Sequence, residues 1–181
     1  MPQVLQNGVN QDINELLLFS TNTTVLNAKF FEQSCRNLKS FSSYWNYELS
    51  VESSAFQNVP SLKELSLGQN ELISIPFDVF LGLDKLVYLF LWRNRLSVIL
   101  PKWFQDMASL KVLKLNINSI NVIPDNAFSK LTQLKELDLS SNRIDTITKI
   151  MFQENEDLES IHLADNFITK IQMDTLPTSK S

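Results

Sequence analysis

Glycine is nearly missing, with 3 residues in 181. A phosphate-cradling loop or a dinucleotide-binding turn needs glycines at fixed offsets so that bare backbone can approach the phosphates. Neither is encoded. There is one cysteine, Cys35, so no disulfide can form within the chain. Taken as a count, that favours a reducing compartment, although a piece of a larger secreted protein would look the same. One cysteine and one histidine, His162, cannot supply the several ligands a metal site needs, so no metal and no cofactor are expected. The formal net charge of -4 offers no electrostatic footing for nucleic acid. Long apolar runs are missing too. The longest, Leu86-Val87-Tyr88-Leu89-Phe90-Leu91-Trp92, is strand-sized and far short of the roughly 20 residues a spanning helix needs, so direct membrane insertion is not expected. The start, Met1 to Asn7, has neither the basic residues nor the apolar stretch of a signal peptide.

What the chain does have is a period. Leucine recurs at Leu62, Leu86, Leu110, Leu134 and Leu158, and asparagine at Asn70, Asn94, Asn118, Asn142 and Asn166, each stepping by 24. Phenylalanine keeps the step at Phe80, Phe104, Phe128 and Phe152, with Leu176 in the next slot. Fixed-period self-similarity is the mark of stacked repeats. One further step back gives a degenerate unit with Leu38, Phe41, Asn46, Val51, Phe56 and Val59. Another gives Leu17, Phe19, Asn22 and Cys35, with the phenylalanine slipped by one to Phe31. The count is seven units, starting near residues 14, 38, 62, 86, 110, 134 and 158. They fill residues 13–176, between residues 1–12, a tail or the end of a preceding unit, and a tail at 177–181.

Within a unit, Leu65-x-Leu67 alternates with period 2, which is a strand with its leucines on one side. One coil cannot bury those leucines alone, so neighbours stack around a shared core. Seven parallel strands at about 4.8 Å spacing would span roughly 29 Å. The asparagines Asn22, Asn46, Asn70, Asn94, Asn118, Asn142 and Asn166 stand where the chain leaves the strand, and their amides can satisfy backbone groups that the turn removes from the ladder. Cys35, aligned with Val59, Leu83, Met107 and Leu131, reads as a buried thiol behaving as a small hydrophobe.

The pattern resembles the 24-residue "typical" class of leucine-rich repeats, over about nine-tenths of the chain. The resemblance implies an α/β-type solenoid: a horseshoe with a parallel β-sheet on its concave face and mostly irregular convex segments. It also implies an extracellular or cell-surface setting, as in Toll-like receptors and in secreted insect immune or adhesion proteins. Cysteine-rich caps usual in that setting do not occur in the sequence, which reads as a fragment or as a chain whose ends are covered by a partner.

Enzyme chemistry finds little to work with. His162 has Asp138 and Asp165 nearby, but no serine stands in a strained G-x-S-x-G turn and Cys35 is some five strands away. The chain is therefore read as non-catalytic, with function in the strand positions that face away from the core. Their centres run Leu18, Ser42, Ser66, Phe90, Lys114, Asp138 and His162. The unit around Tyr88, Phe90, Trp92 and Arg93 is conspicuous, with Tyr44 and Trp45 two strands before it. Tyrosine, tryptophan and arginine are the side chains most enriched at binding hot spots. These residues, with Lys114, Asp138 and His162 for orientation, are expected to meet a protein ligand or co-receptor. The competing expectation is a scaffold that associates with like chains through open repeat ends, such as the strand edge at Ser160–Leu163. Asn22-Thr23-Thr24 is the one glycosylation sequon. Its place in the asparagine register predicts an inward amide and little or no glycan.

Overall fold

The computed structural model describes residues 13–31 and 35–171. The two expected tails and the closing Leu176 lie outside these residues. Seven strands, one per repeat, form a single parallel sheet: β1 (Glu15–Phe19), β3 (Ser40–Tyr44), β5 (Glu64–Ser66), β6 (Tyr88–Phe90), β7 (Val112–Lys114), β8 (Glu136–Asp138) and β10 (Ser160–His162). Short pairs flank the return path, β2 (Val25–Leu26) with β4 (Ser50–Val51) and β9 (Thr146–Ile147) with β11 (Lys170–Ile171). The return segments are mostly turns, with 3-10 helices at Pro101–Phe104 and Lys149–Phe152. This is the expected solenoid.

Its core is a set of columns. Leu65, Leu89, Leu113 and Leu137 are fully buried at matching strand positions, and each such side chain contributes about 1.5–3 kcal/mol of burial. The phenylalanines stack behind them, with ring centroids 5.4 Å apart for Phe31–Phe56, 6.2 Å for Phe56–Phe80, 6.1 Å for Phe104–Phe128 and 5.8 Å for Phe128–Phe152. Cys35 is fully buried in the core, as its alignment suggested.

The asparagine ladder is built as the turn chemistry requires, with one exception. Asn94 is typical: its Oδ1 accepts from the backbone N–H of Asn70 (3.3 Å) and Leu72 (2.9 Å). Its Nδ2 donates to the carbonyls of Leu67 (2.9 Å) and Leu91 (3.0 Å). Asn70, Asn118, Asn142 and Asn166 do the same work in their own repeats; Asn46 accepts from the Thr21 N–H, while its Nδ2 donates within its own repeat to Ser43 Oγ and Tyr44 O. Asn22 does not. Thr21 occupies that slot, donating its N–H to Asn46 Oδ1 at 2.9 Å, while Asn22 is exposed and has a left-handed backbone (φ 55°).

The register explains the displacement. Later strands pair with a step of 24, but β1 pairs with β3 as Glu15↔Ser40 through Phe19↔Tyr44, a step of 25. Phe31 and Phe56 keep that step of 25, whereas Leu38 and Leu62 close their turns on Cys35 and Val59, a step of 24. The first repeat therefore has one additional residue, and it falls between Phe31 and Cys35. Two expectations are corrected with it. Leu18 points into the core rather than onto the face, and Leu17 and Phe19, read as core, are 57% and 60% exposed. A one-residue shift sends every side chain of a strand to the opposite face.

A second column lies at the strand exits. Ser20, Trp45, Gln69, Arg93, Ile117, Ser141 and Asp165 all have φ between 51° and 60°, and none of them is glycine. Each repeat bends out of its strand through one left-handed residue, a conformation that costs an ordinary L-residue roughly 1–2 kcal/mol. The stacked hydrogen bonds on either side hold it there, as in Arg93 N–H to Asn116 O at 2.9 Å.

Candidate functional site

The strand positions that face away from the core divide the sheet into two halves of different chemistry. From β1 to β6 an aromatic and apolar band runs along the exit side of the face, beside polar positions at Glu15, Ser40, Ser42 and Glu64. Phe19 pairs with Tyr44, and the Tyr44 ring approaches Trp92 at 6.3 Å even though a whole strand separates them. Gly68 makes that approach possible. A Cβ at Gly68 would stand 2.7 Å from Trp92 Cε2 and Nε1, so the indole lies directly on the glycine backbone. Tyr88 and Phe90 stack beside it, 6.3 Å apart and 20° from parallel. Tyr88 is 41% exposed, while Phe90, Trp92 and Tyr44 are half-buried against one another and the sheet. Ser66, at the centre of β5, is wholly buried with its Oγ lacking a hydrogen-bond partner.

From β7 onward the face is charged. Lys114 Nζ is ion-paired to Glu136 and lies 3.7 Å from Asp138 Oδ2. His162 Nε2 stands 3.7 Å from Glu136 Oε1. Lys135 pairs with Glu159 at 2.5 Å, and that hydrogen bond and charge hold the ammonium above its ordinary pKa. Among the described residues no group of three or more histidine, cysteine or carboxylate side chains could hold a metal ion.

The structure thus gathers Tyr44, Tyr88, Phe90 and Trp92 into one band and Lys114, Asp138 and His162 into the neighbouring cluster. Trp45 and Arg93 stand elsewhere. Both belong to the left-handed exit column, and they flank an open hollow of about 300 Å³ with Tyr47, Glu71 and Arg95. Arg95 is paired with Glu71 at 2.7 Å there, and Trp45 meets Tyr47 edge-to-face at 5.9 Å. The sequence reading passed over Tyr47, Glu71 and Arg95. The signal was available, since they recur at the 24-residue step, two places beyond the exit residue.

Leucine-rich-repeat segments are matched at residues 46–96, 85–144 and 132–177, which together take in most of the chain. The chain belongs to the leucine-rich-repeat family. No curated protein sequence matches it. Among solved structures, it is similar to the protein in "Crystal structure of TLR13-ssRNA13 complex" at 25% identity and a TM-score of 0.76, over 84% of this chain and 21% of that one. It is also similar in fold to the protein in "Crystal Structure of APL1 leucine-rich repeat domain" at 24% identity and a TM-score of 0.75, over 82% of this chain and 38% of that one. The chain therefore spans well under half of either neighbour. One neighbour is named with an ssRNA, so the expectation of no nucleic-acid partner rests on net charge and not on the fold. No helix among the described residues is long and apolar enough to cross a membrane.

Proposed function

We propose that this leucine-rich-repeat chain is a non-catalytic recognition module that captures a protein ligand or co-receptor on its sheet face. We place it in an extracellular or cell-surface protein of the immune or adhesion type. The observation that carries the reading is the aromatic band of Tyr44, Trp92, Tyr88 and Phe90, extended by the exposed Leu17 and Phe19. A solvated antiparallel or half-buried sheet face is normally polar on its outer side. Contiguous exposed apolar surface marks a partner site. The adjoining Lys114–Glu136–Asp138–His162 cluster supplies charge for orientation, which acts on partner choice and on-rate more than on affinity. The setting is supported by the similarity to TLR13.

A test pairs cross-linking on the intact chain with a variant carrying Tyr88→Ala, Phe90→Ala and Trp92→Ala. Protein cross-links from the sheet face should disappear in the variant while circular dichroism stays that of the solenoid. Cross-links that persist unchanged would move the binding site off this face.

A second reading has its own observation. Phe167 and Ile171 in the last described repeat are 67% and 52% exposed, which suits association of repeat ends with like chains. Sedimentation separates the two. Self-association that survives the triple variant but is lost with Phe167→Ser assigns assembly to the repeat end.

A further inference from the structure

We propose that Asn22 is an N-linked glycan acceptor and that its first sugar lies against the Trp45–Tyr47 aromatic pair. The inference rests on the extracellular reading above, because oligosaccharide transfer takes place inside the secretory route. It reverses what the asparagine register implied.

Three observations carry it. Asn22-Thr23-Thr24 has the acceptor pattern, a carboxamide two residues before a hydroxyl. Transfer precedes folding, so the folded chain must leave Nδ2 in solvent. In the ladder it could not. Asn94 Nδ2, for example, donates to the carbonyls of Leu67 and Leu91, and a sugar on that buried nitrogen would displace one of the two N–H donors and clash with the turn. Asn22 stands outside the ladder because Thr21 has taken the slot. It is exposed, and its φ of 55° is one that asparagine tolerates better than most residues.

The third observation is what surrounds it. Asn22 borders an open hollow of about 310 Å³ whose other walls include Thr24, Trp45, Tyr47 and Glu48. Trp45 and Tyr47 are 36% and 55% exposed, and their rings meet at 90°. A pyranose presents an apolar C–H face, and two exposed aromatic rings at an angle offer it an apolar wall. Covering them removes apolar surface from water. Glu48, on the same hollow, brings a carboxylate that accepts hydrogen bonds from hydroxyls.

The chemistry balances without redox change. Asn22 Nδ2 forms a bond to the anomeric carbon of N-acetylglucosamine carried on a lipid pyrophosphate. The bond from that carbon to the pyrophosphate oxygen breaks. The lipid pyrophosphate leaves with the electron pair, and one amide proton is lost.

The experiment expresses the full chain behind a cleavable secretion leader in a eukaryotic host. The substitution Lys130→Asn is added to create a control acceptor ahead of Thr132 on an exposed turn. Glycan release in heavy-oxygen water followed by peptide mass spectrometry reads each site. The expected result is occupancy at both, with Asn22 vacated by Thr24→Ala. An occupied control beside a vacant Asn22 overturns the proposal. A leader-fused chain occupied at Asn22, set against a vacant Asn22 in the chain from its natural source, supports the acceptor and counts against the extracellular reading. For the contact, enzymatic glycan removal should lower Tm by about 2–4 °C and leave the Tm of a Trp45→Asn, Tyr47→Ala variant unmoved. Equal shifts in both would overturn the aromatic contact.

Discussion

Replacing Asn94 by alanine tests the ladder at its centre. Five backbone groups lose a hydrogen bond: the N–H of Asn70 and Leu72 and the carbonyls of Leu67, Leu91 and Trp92, of which Leu91 keeps Asn118 Nδ2 and Trp92 keeps the Gln69 N–H. The site is 8% exposed, so water does not substitute freely. A buried group left unsatisfied costs about 1–3 kcal/mol, and carbonyls with a second lone pair in use cost less than amides. Two orphaned amides and the Leu67 carbonyl, with Leu91 and Trp92 still bonded, give a loss of roughly 3–5 kcal/mol. At about 2–4 °C per kcal/mol for a chain of this size, Tm should fall by roughly 6–20 °C. The paired control is Asn22→Gly, the same residue type outside the ladder and already at a left-handed φ. It should stay within about 0.5 kcal/mol of the parent. Urea titration by far-UV circular dichroism on bacterially made protein measures both. A loss below about 1 kcal/mol at Asn94, or equal losses at the two sites, would refute the ladder as a stabilising element and with it the assignment of Thr21 to the first rung.

Three further outcomes are expected. Gly68→Ala should drive the indole of Trp92 off the sheet, because the added carbon would stand 2.7 Å from it; the fluorescence difference spectrum should show a red shift, and an unchanged spectrum would mean that the ring does not rest there. Ile117→Gly should raise stability by about 0.5–1 kcal/mol, since a β-branched side chain at φ 55° is strained and 44% exposed; a lower Tm would show that its packing outweighs the backbone. Glu159→Gln should bring the Lys135 ammonium back down towards its ordinary pKa, followed by NMR titration. The sign is that of a raised folded value: the pair stabilises below the unfolded lysine pKa and loses its effect as pH rises through the folded one. With both partners exposed to solvent, thermal stability near neutral pH should hardly move.

The sequence made the solenoid legible because burial and the turn each demand one residue type per coil. Leucine at the strand and asparagine at its exit repeat visibly. Two things were not legible. The additional residue between Phe31 and Cys35 leaves its only trace in a phenylalanine one place out of step, and counting back by 24 past it inverted Leu17, Leu18 and Phe19 and set Asn22 in the ladder. The left-handed column escaped for the opposite reason. Its residues are serine, tryptophan, glutamine, arginine, isoleucine, serine and aspartate; backbone hydrogen bonds impose the conformation, so no side-chain type records it. That is why Trp45 and Arg93 were read as part of the strand face when they line the hollow beside it.

The asparagine ladder also has a direction. Every rung reaches backwards: Asn70 serves Asn46 and Ser43, Asn118 serves Leu96 and Leu91, and Asn166 serves Ile144 and Leu139. Each coil is therefore chemically unfinished until the coil after it has been made. On a ribosome, where the chain emerges from its N-terminus, a growing solenoid of this kind always trails one open turn behind the exit, and closing it is the act of the next 24 residues rather than of its own.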